Sequence, residues 1–170
     1  MATTTNKVAY GSYTAMTVTN LQSLASSATA GWQSARVDNQ TSTLALDYEI
    51  FVKLTTANTA PANDKAMYVY LCPMMTTDGG TTWLASDQGT TTLPTGTEGT
   101  TTIASPNDLK LLGVLSYTTQ NMTCQGSFLL SNAYGQNMPD GFSIIIINYS
   151  GAALSTSCVV AYRAITVTNS

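Results

Sequence analysis

The stretch TLALDYEIFVKLT, residues 43–55, alternates apolar and polar side chains along most of its length. Successive side chains of a β-strand point to opposite faces, so this period of two predicts a long strand with one buried face. The predicted buried face carries Leu44, Leu46, Tyr48, Ile50, Val52 and Leu54. Phe51 falls on the polar face instead. It indicates either a contact with another chain or element, or the ordinary scatter of apolar residues over a protein surface.

Seven further windows have the apolar, β-branched and aromatic character of strands, and turn signals rich in Gly, Pro, Asn and Asp separate them. They are residues 13–21, 32–39, 66–73, 109–117, 124–130, 142–149 and 158–167. The run FSIIII from Phe142 to Ile147 does not alternate, which predicts a strand covered on both faces. We expect this strand to pair with residues 158–167 across a turn at Gly151.

No window has a convincing helical pattern. The sequence therefore predicts an all-β fold, an antiparallel jelly-roll-like β-sandwich of about eight strands. A chain of 170 residues is long enough to bury one sizeable core, so a single domain over residues 1–170 is expected.

Charged and titratable side chains are scarce in this chain. It has no histidine, 6 Lys and Arg, and 9 Asp and Glu, so that 9% of its residues are charged, against roughly 25% in soluble domains. Without imidazole, Ser-His-Asp triads, Cys-His pairs and His-ligated metal sites are excluded. We expect no enzymatic activity, no cofactor and no metal ion.

Asp47 and Glu49 form the carboxylate pair that comes closest to a catalytic arrangement. They lie two residues apart on the polar face of the predicted strand, at about 7 Å, which falls within the separation that glycoside hydrolysis needs. Any Asp-x-Glu sequence in a strand meets that distance, however. Two solvated carboxylates on an outward face explain the pair better, because nothing nearby in the sequence supplies an enclosed acidic site.

Net charge and cysteine spacing limit the partners of the chain. The net charge is −3 and the six basic residues are scattered singly, so nucleic-acid binding is not expected. The longest apolar run, Ile144 to Ile147, is far too short for a membrane span, and we expect a soluble protein made in the cytoplasm. Cys72, Cys124 and Cys158 are an odd and widely spaced set, which favours buried free thiols over disulfides or zinc ligands.

Residues 22–30, which predict a loop or a single helical turn, and residues 85–105 do not fit the strand pattern. Residues 85–105 are rich in Thr and Gly and predict an exposed loop, which is either a binding loop or a plain insertion. Residues 1–12 are a candidate N-terminal arm. Trp32 and Trp83 lie at the ends of predicted elements, where an indole ring either stacks on a sugar or caps the core of a sandwich. Together with Phe51, they are the candidate ligand or interface contacts.

Six segments, read in order, carry a family resemblance. They are GWQSARVDN (31–39), LALD (44–47), PANDKAMYVY (61–70), DGGTTW (78–83), LLGVL (111–115) and IIINYSGAAL (145–154). Over roughly residues 16–167 the chain resembles the small virion structural proteins of tailed bacteriophages, of the capsid decoration or cement type. Many of these are jelly-roll sandwiches that assemble as trimers. The resemblance thus implies a homotrimer on the capsid exterior, with the major capsid protein as its partner and synthesis in the host cytoplasm.

The predicted function is that of a non-enzymatic virion structural protein, which binds the outside of a phage head and stabilises it. A surface of Thr, Ser and Asn suits this task, because hydroxyls and amides satisfy one another across an interface without burying unpaired charge. The alternative is a head-fibre or receptor-binding domain that recognises carbohydrate through Trp32, Trp83 or residues 85–105.

Overall fold

The computed structural model describes residues 6–40, 44–62, 66–85, 96–103, 109–135 and 137–169. These residues form twelve strands and one turn of helix: β1 (Asn6–Tyr10), β2 (Thr14–Ala15), β3 (Ala30–Gln33), β4 (Val37–Asp38), β5 (Asp47–Thr55), β6 (Ala66–Thr76), β7 (Trp83–Ala85), β8 (Gly99–Thr102), β9 (Lys110–Ser116), β10 (Thr123–Leu129), α1 (Ser131–Tyr134), β11 (Gly141–Tyr149) and β12 (Val159–Asn169). They outnumber the eight predicted windows because several strands are only two to four residues long.

The strands form two antiparallel sheets that enclose a common core. Sheet 1 has the strand order β1-β12-β5-β10, and β2 also pairs with β12. Sheet 2 has the order β7-β6-β11-β3-β8, with β4 on β11 and β9 on β6. The predicted all-β antiparallel sandwich is confirmed.

Alternating burial along β5 shows how the sheets meet. Ile50, Val52 and Leu54 are fully buried, whereas the residues between them are half-buried on the opposite face. From sheet 2, Phe142 and Ile146 of β11 enter the same core cluster. Complete burial of one such side chain stabilises the fold by roughly 1.5–3 kcal/mol. The alternation of residues 47–55 thus places one face of β5 in the core of the sandwich and the other face on its outside.

Strand β11 is covered on both faces, as its uninterrupted apolar run predicts. Its inward side chains join the main core, and its outward side chains Ile145 and Ile147 join a smaller cluster on the outer side of sheet 2. The other buried members of that cluster are Cys72, Ile103 and Leu109. The chain therefore folds back over sheet 2 and covers the outer face of its central strands.

The predicted pairing of residues 142–149 with residues 158–167 is wrong. β11 pairs with β6, β3 and β4 in sheet 2, while β12 pairs with β5 in sheet 1. With β6 on one edge of β11 and β3 and β4 on the other, no edge of β11 is left for β12. At the end of β11, the buried Nδ2 of Asn148 donates to the backbone oxygens of Leu24 at 3.0 Å and Ala152 at 2.7 Å. These bonds turn the chain out of sheet 2 after β11. The connection at Gly151, whose φ is 80°, crosses between sheets instead of closing a hairpin.

The strand predicted over residues 43–55 begins only at Asp47. Leu44 and Leu46, predicted to be buried, are 65% and 56% exposed, because they lie beyond the edge of the core. Residues 13–21 hold only the two-residue strand β2 and then turn, with the Leu21 backbone N–H donating to Val18. The window 32–39 is split into β3 and β4, since the backbone N–H of Arg36 donates to Gly96 rather than to β11.

The segment predicted to be an exposed loop, residues 85–105, is in part a strand. Residues 99–102 form β8, which pairs with β3, and the side chains of Thr101 and Ile103 are buried. Ile103 packs against the outer side of sheet 2 and holds this segment there. The Thr-rich composition gave no indication of this contact. Residues 86–95 and 104–105 lie outside the described residues.

The candidate N-terminal arm contains a strand. Asn6–Tyr10 form the edge strand of sheet 1, paired with β12, and the backbone N–H of Gly11 donates to Ala164 at 2.9 Å. Residues 1–5 lie outside the described part of the chain.

Candidate interaction surface

The side of sheet 1 that faces away from the core is rich in exposed apolar and aromatic groups. We call it the outer face; its members include Val8, Tyr10, Tyr13, Asp47, Glu49, Phe51, Lys53, Val159, Arg163 and Val167. Val8 and Tyr10 are each 61% exposed, and Tyr13 and Val167 are each 44% exposed. Aromatic residues and arginine are the types enriched where proteins contact each other.

Arg163 lies at the centre of the outer face. The register of β5 and β12 places Arg163 directly opposite Glu49, and its Nε and Nη2 atoms donate to Glu49 Oε2 at 2.6 and 2.5 Å. Its guanidinium carbon also lies 4.8 Å from the ring centroids of both Tyr10 and Tyr13. The positive charge is thus held by one carboxylate and two aromatic rings, a fixed arrangement rather than a freely solvated side chain.

Phe51 belongs to this cluster. Its ring points to the outer face, is half-buried, and meets the ring of Tyr13 edge-on at a centroid distance of 6.1 Å. The sequence singled out Phe51 as a candidate contact but missed Tyr10, Tyr13 and Arg163. Only the register of β12 and the path of the N-terminal strand bring these three residues to it, and neither can be read from local alternation.

Trp32 is not available as a ligand platform. It is completely buried, and its indole Nε1 donates to Glu98 Oε1 at 2.7 Å. Its ring is part of the sandwich core, which is the structural role that the sequence left open beside sugar stacking.

Trp83 is half-buried at the start of β7, and its ring is already in contact on more than one side. The guanidinium carbon of Arg36 lies 4.1 Å from the ring centroid, and Nε1 donates to the backbone oxygen of Gly80 at 2.8 Å. A methyl group added to Gly141 would lie 2.6 Å from Cζ3 of Trp83, so the ring packs directly against that backbone. These contacts do not leave the broad open ring face that stacking on a sugar uses.

Asp47 and Glu49 both have structural partners. Glu49 is engaged by Arg163, and Asp47 accepts hydrogen bonds from the backbone N and the Oγ of Ser131 at 3.1 and 2.5 Å. Both carboxylates thus hold structural contacts, whereas the sequence predicted two freely solvated groups on an outward face.

The three cysteines are buried free thiols, as their spacing predicts. Burial raises the pKa of Cys124 and of Cys158, so both thiols are held in the protonated form that neither attacks substrates nor binds metals readily. Within the described ranges, no group of three or more Cys, Asp or Glu side chains is placed to hold a metal ion.

Two shallow depressions lie on the described surface. One, of about 310 Å³, is lined by apolar and polar residues that include Leu44, Leu46, Met138, Gln40 and Asp140. The other, of about 150 Å³, lies where β6 meets β7. Neither contains a cluster of chemically reactive side chains. Among the described residues, no helix is long and apolar enough to cross a membrane.

Comparison with protein-family models, curated proteins and solved structures gave no significant match to this chain. The function therefore has to be inferred from the residues and their arrangement.

Proposed function

We propose that the protein is a non-enzymatic structural protein of a tailed-bacteriophage virion, a capsid decoration or cement protein that binds the outside of the head and stabilises it. The observation that carries the proposal is the outer face of sheet 1. It combines exposed tyrosines and valines with an arginine whose charge is already neutralised by Glu49. Such a surface favours a lasting contact with protein over the binding and turnover of a small substrate.

The scarcity of charge supports the same role. Covering a surface in an assembly removes its polar groups from water, and an unpaired charge makes this costly. With 9% charged residues, this chain presents mainly hydroxyls and amides, which direct or water-mediated hydrogen bonds can satisfy. On a lattice of many identical sites, linked weak contacts add up to firm attachment through effective concentration.

The resemblance to decoration proteins adds an expected partner, the major capsid protein, and an expected homotrimer. The proposed function requires only that copies of the protein attach to the shell. It does not depend on the number of subunits.

The carbohydrate-binding alternative has less support from the geometry. Trp32 is buried, and Arg36 and Gly141 cover parts of the ring of Trp83. A screen on a glycan array would revive this alternative if it showed binding that Trp83→Ala abolished without loss of folding.

A rebinding experiment tests the proposal. Heads stripped of this protein are mixed with purified protein and sedimented, and heads that still hold their full complement serve as the control. We expect saturable binding to stripped heads, little additional binding to the control heads, and a higher temperature of head disruption after rebinding. Failure of the folded protein to sediment with stripped heads at micromolar concentration would remove the proposal.

A further inference from the structure

The two sheets differ in how their outward sides are covered. Over the central strands of sheet 2, the protein's own residues Ile103 and Leu109 bury Ile145 and Ile147. No described segment covers the outer face of sheet 1 in that way, and Val8, Tyr10 and Val167 remain largely exposed. A sheet face that leaves several large apolar and aromatic side chains exposed is typical of a surface that another molecule covers.

The charges at the two ends of β5 on the outer face have opposite signs. Asp47 and Lys53 mark the two ends of β5 on this face, about 20 Å apart at the usual rise of a strand. Between them lie Glu49, neutralised by Arg163, and Phe51. The described charged side chains of the face thus sum to zero, although the whole chain carries −3. Lys53 has no ion-pair partner among the described residues.

We propose that the outer face of sheet 1 packs against the same face of a second copy of this chain, about a two-fold axis that passes near the middle of β5. The axis lies between Glu49 and Phe51, so that Asp47 of each copy approaches Lys53 of the other. This pairing rests on the proposed function and deepens it, because the lasting protein contact of the outer face is then made with a second copy. Pairs of copies attach to the shell through other surfaces of the protein.

The charge pattern is what favours a second copy as the occupant. Two acidic chains repel each other unless the surfaces that meet carry no net charge or carry complementary charges. The outer face meets both conditions under a two-fold axis, because one operation brings both Asp47–Lys53 contacts into place. Face-to-face sheets pack about 10 Å apart, which leaves room for Phe51, Tyr10 and Tyr13 of both copies between them.

Charge reversal tests the proposal, with sedimentation velocity measuring the dimer dissociation constant. Lys53→Glu and Asp47→Lys should each weaken self-association by about 30-fold, because each places two like-charged contacts in the homodimer. Lys110→Glu, which makes the same change on β9 of sheet 2, should leave the dissociation constant unchanged. An equimolar mixture of the Lys53→Glu and Asp47→Lys proteins should dimerise as the wild type does, because every contact in the mixed pair joins opposite charges.

Several results would overturn the pairing. They are a wild-type protein that stays monomeric or forms only trimers, an unchanged dissociation constant for Lys53→Glu, and a mixture that fails to recover association. Circular dichroism checks the fold of each variant. If Asp47→Lys does not fold, because it loses the contacts to Ser131, then Phe51→Asp replaces it and should give a monomer; a dimeric Phe51→Asp protein would equally refute the pairing.

The same variants separate this inference from the proposed function. A monomeric Lys53→Glu protein that still binds stripped heads, with lower avidity, supports both. A wild-type dimer that behaves as described but never binds heads leaves the pairing intact and removes the decoration role. If the wild-type protein binds heads but does not dimerise, the decoration role stands and the pairing is refuted.

Discussion

Replacing Glu98 with glutamine tests the contact that joins residues 96–103 to the core. Both carboxylate oxygens are in use. Oε1 accepts hydrogen bonds from Trp32 Nε1 and from the backbone N of Asn20, and Oε2 accepts one from Asn20 Nδ2, all at 2.7 Å. Glutamine keeps the shape and one acceptor oxygen, but its amide group cannot accept from Asn20 Nδ2. The variant loses the hydrogen bond from Asn20 Nδ2, and the acceptor of the other two hydrogen bonds is no longer charged.

The size of the effect follows from these three bonds. A hydrogen bond to a charged group contributes roughly 1.5–3 kcal/mol and a neutral one roughly 0.5–1.5 kcal/mol. Because Glu98 is partly exposed, solvent screening reduces the charged values. We therefore expect Glu98→Gln to lower the free energy of unfolding at pH 7 by about 3 kcal/mol.

The effect should depend on pH. Burial alone raises the pKa of Glu98, but the hydrogen bonds from Trp32 and Asn20 outweigh it, so the pKa in the folded protein lies below the ordinary value of 4.5. The stabilisation by the carboxylate is then complete above about pH 4.5 and is lost as the pH falls through the lowered pKa. The difference between wild type and variant should shrink on the acid side of that range.

Urea denaturation at pH 7 and at pH 3 measures both quantities. In a double-mutant cycle with Asn20→Ala, the two changes should be non-additive by about 1 kcal/mol, because they remove the same bond. The reasoning is refuted if Glu98→Gln is as stable as wild type at pH 7, or if its deficit is equally large at both pH values.

Two further predictions concern a turn and a close approach of the backbone. Hydrogen bonds from Thr82 lower the pKa of Asp78 to about 2, so an NMR titration of its carboxyl carbon should have its midpoint there; a midpoint near 3.8 would contradict the turn geometry. Gly113→Ala should lower the free energy of unfolding by about 2 kcal/mol in thermal or urea denaturation, because the added methyl would lie 2.2 Å from the ring of Phe128. Gly99→Ala, with no atom within 4 Å of the added methyl, is its control and should change stability by less than about 1 kcal/mol; equal effects at the two glycines would contradict the packing.

The local pattern of apolar and polar residues was sufficient to predict most of the long strands. Residues 66–73, 109–117, 124–130, 142–149 and 158–167 each contain a strand whose ends differ from the prediction by no more than three residues. β6 and β11 are buried along most of their length, so the requirement to cover apolar side chains is written into their sequence. β9 and β10 each bury only one side chain, Leu115 and Cys124.

Pairing and edges could not be predicted in the same way. β11 pairs with β6 over all nine of its residues, although the two strands lie far apart in the sequence and local alternation does not encode their pairing. The alternation that suggested a longer β5 continues through Leu44 and Leu46, although the core has already ended there. Alternation shows which side chains share a face of a strand, but it does not show where the neighbouring strands end.

Only one residue of the candidate surface could be predicted from the sequence. Phe51 stood out because it broke the alternation of its own strand. Tyr10, Tyr13 and Arg163 come from the two ends of the chain, and each is unremarkable in its local sequence. Their meeting depends on long-range register between β1, β12 and β5, which a single sequence does not specify.

A cryo-EM map of the virion whose genome encodes this chain tests the central claim most directly. The decoration role predicts density for a two-sheet sandwich of this size on the exterior of the head, repeated at symmetry-related positions on the major capsid protein. Absence of such density from the head, or its presence only on a tail or a receptor-binding fibre, would contradict the claim.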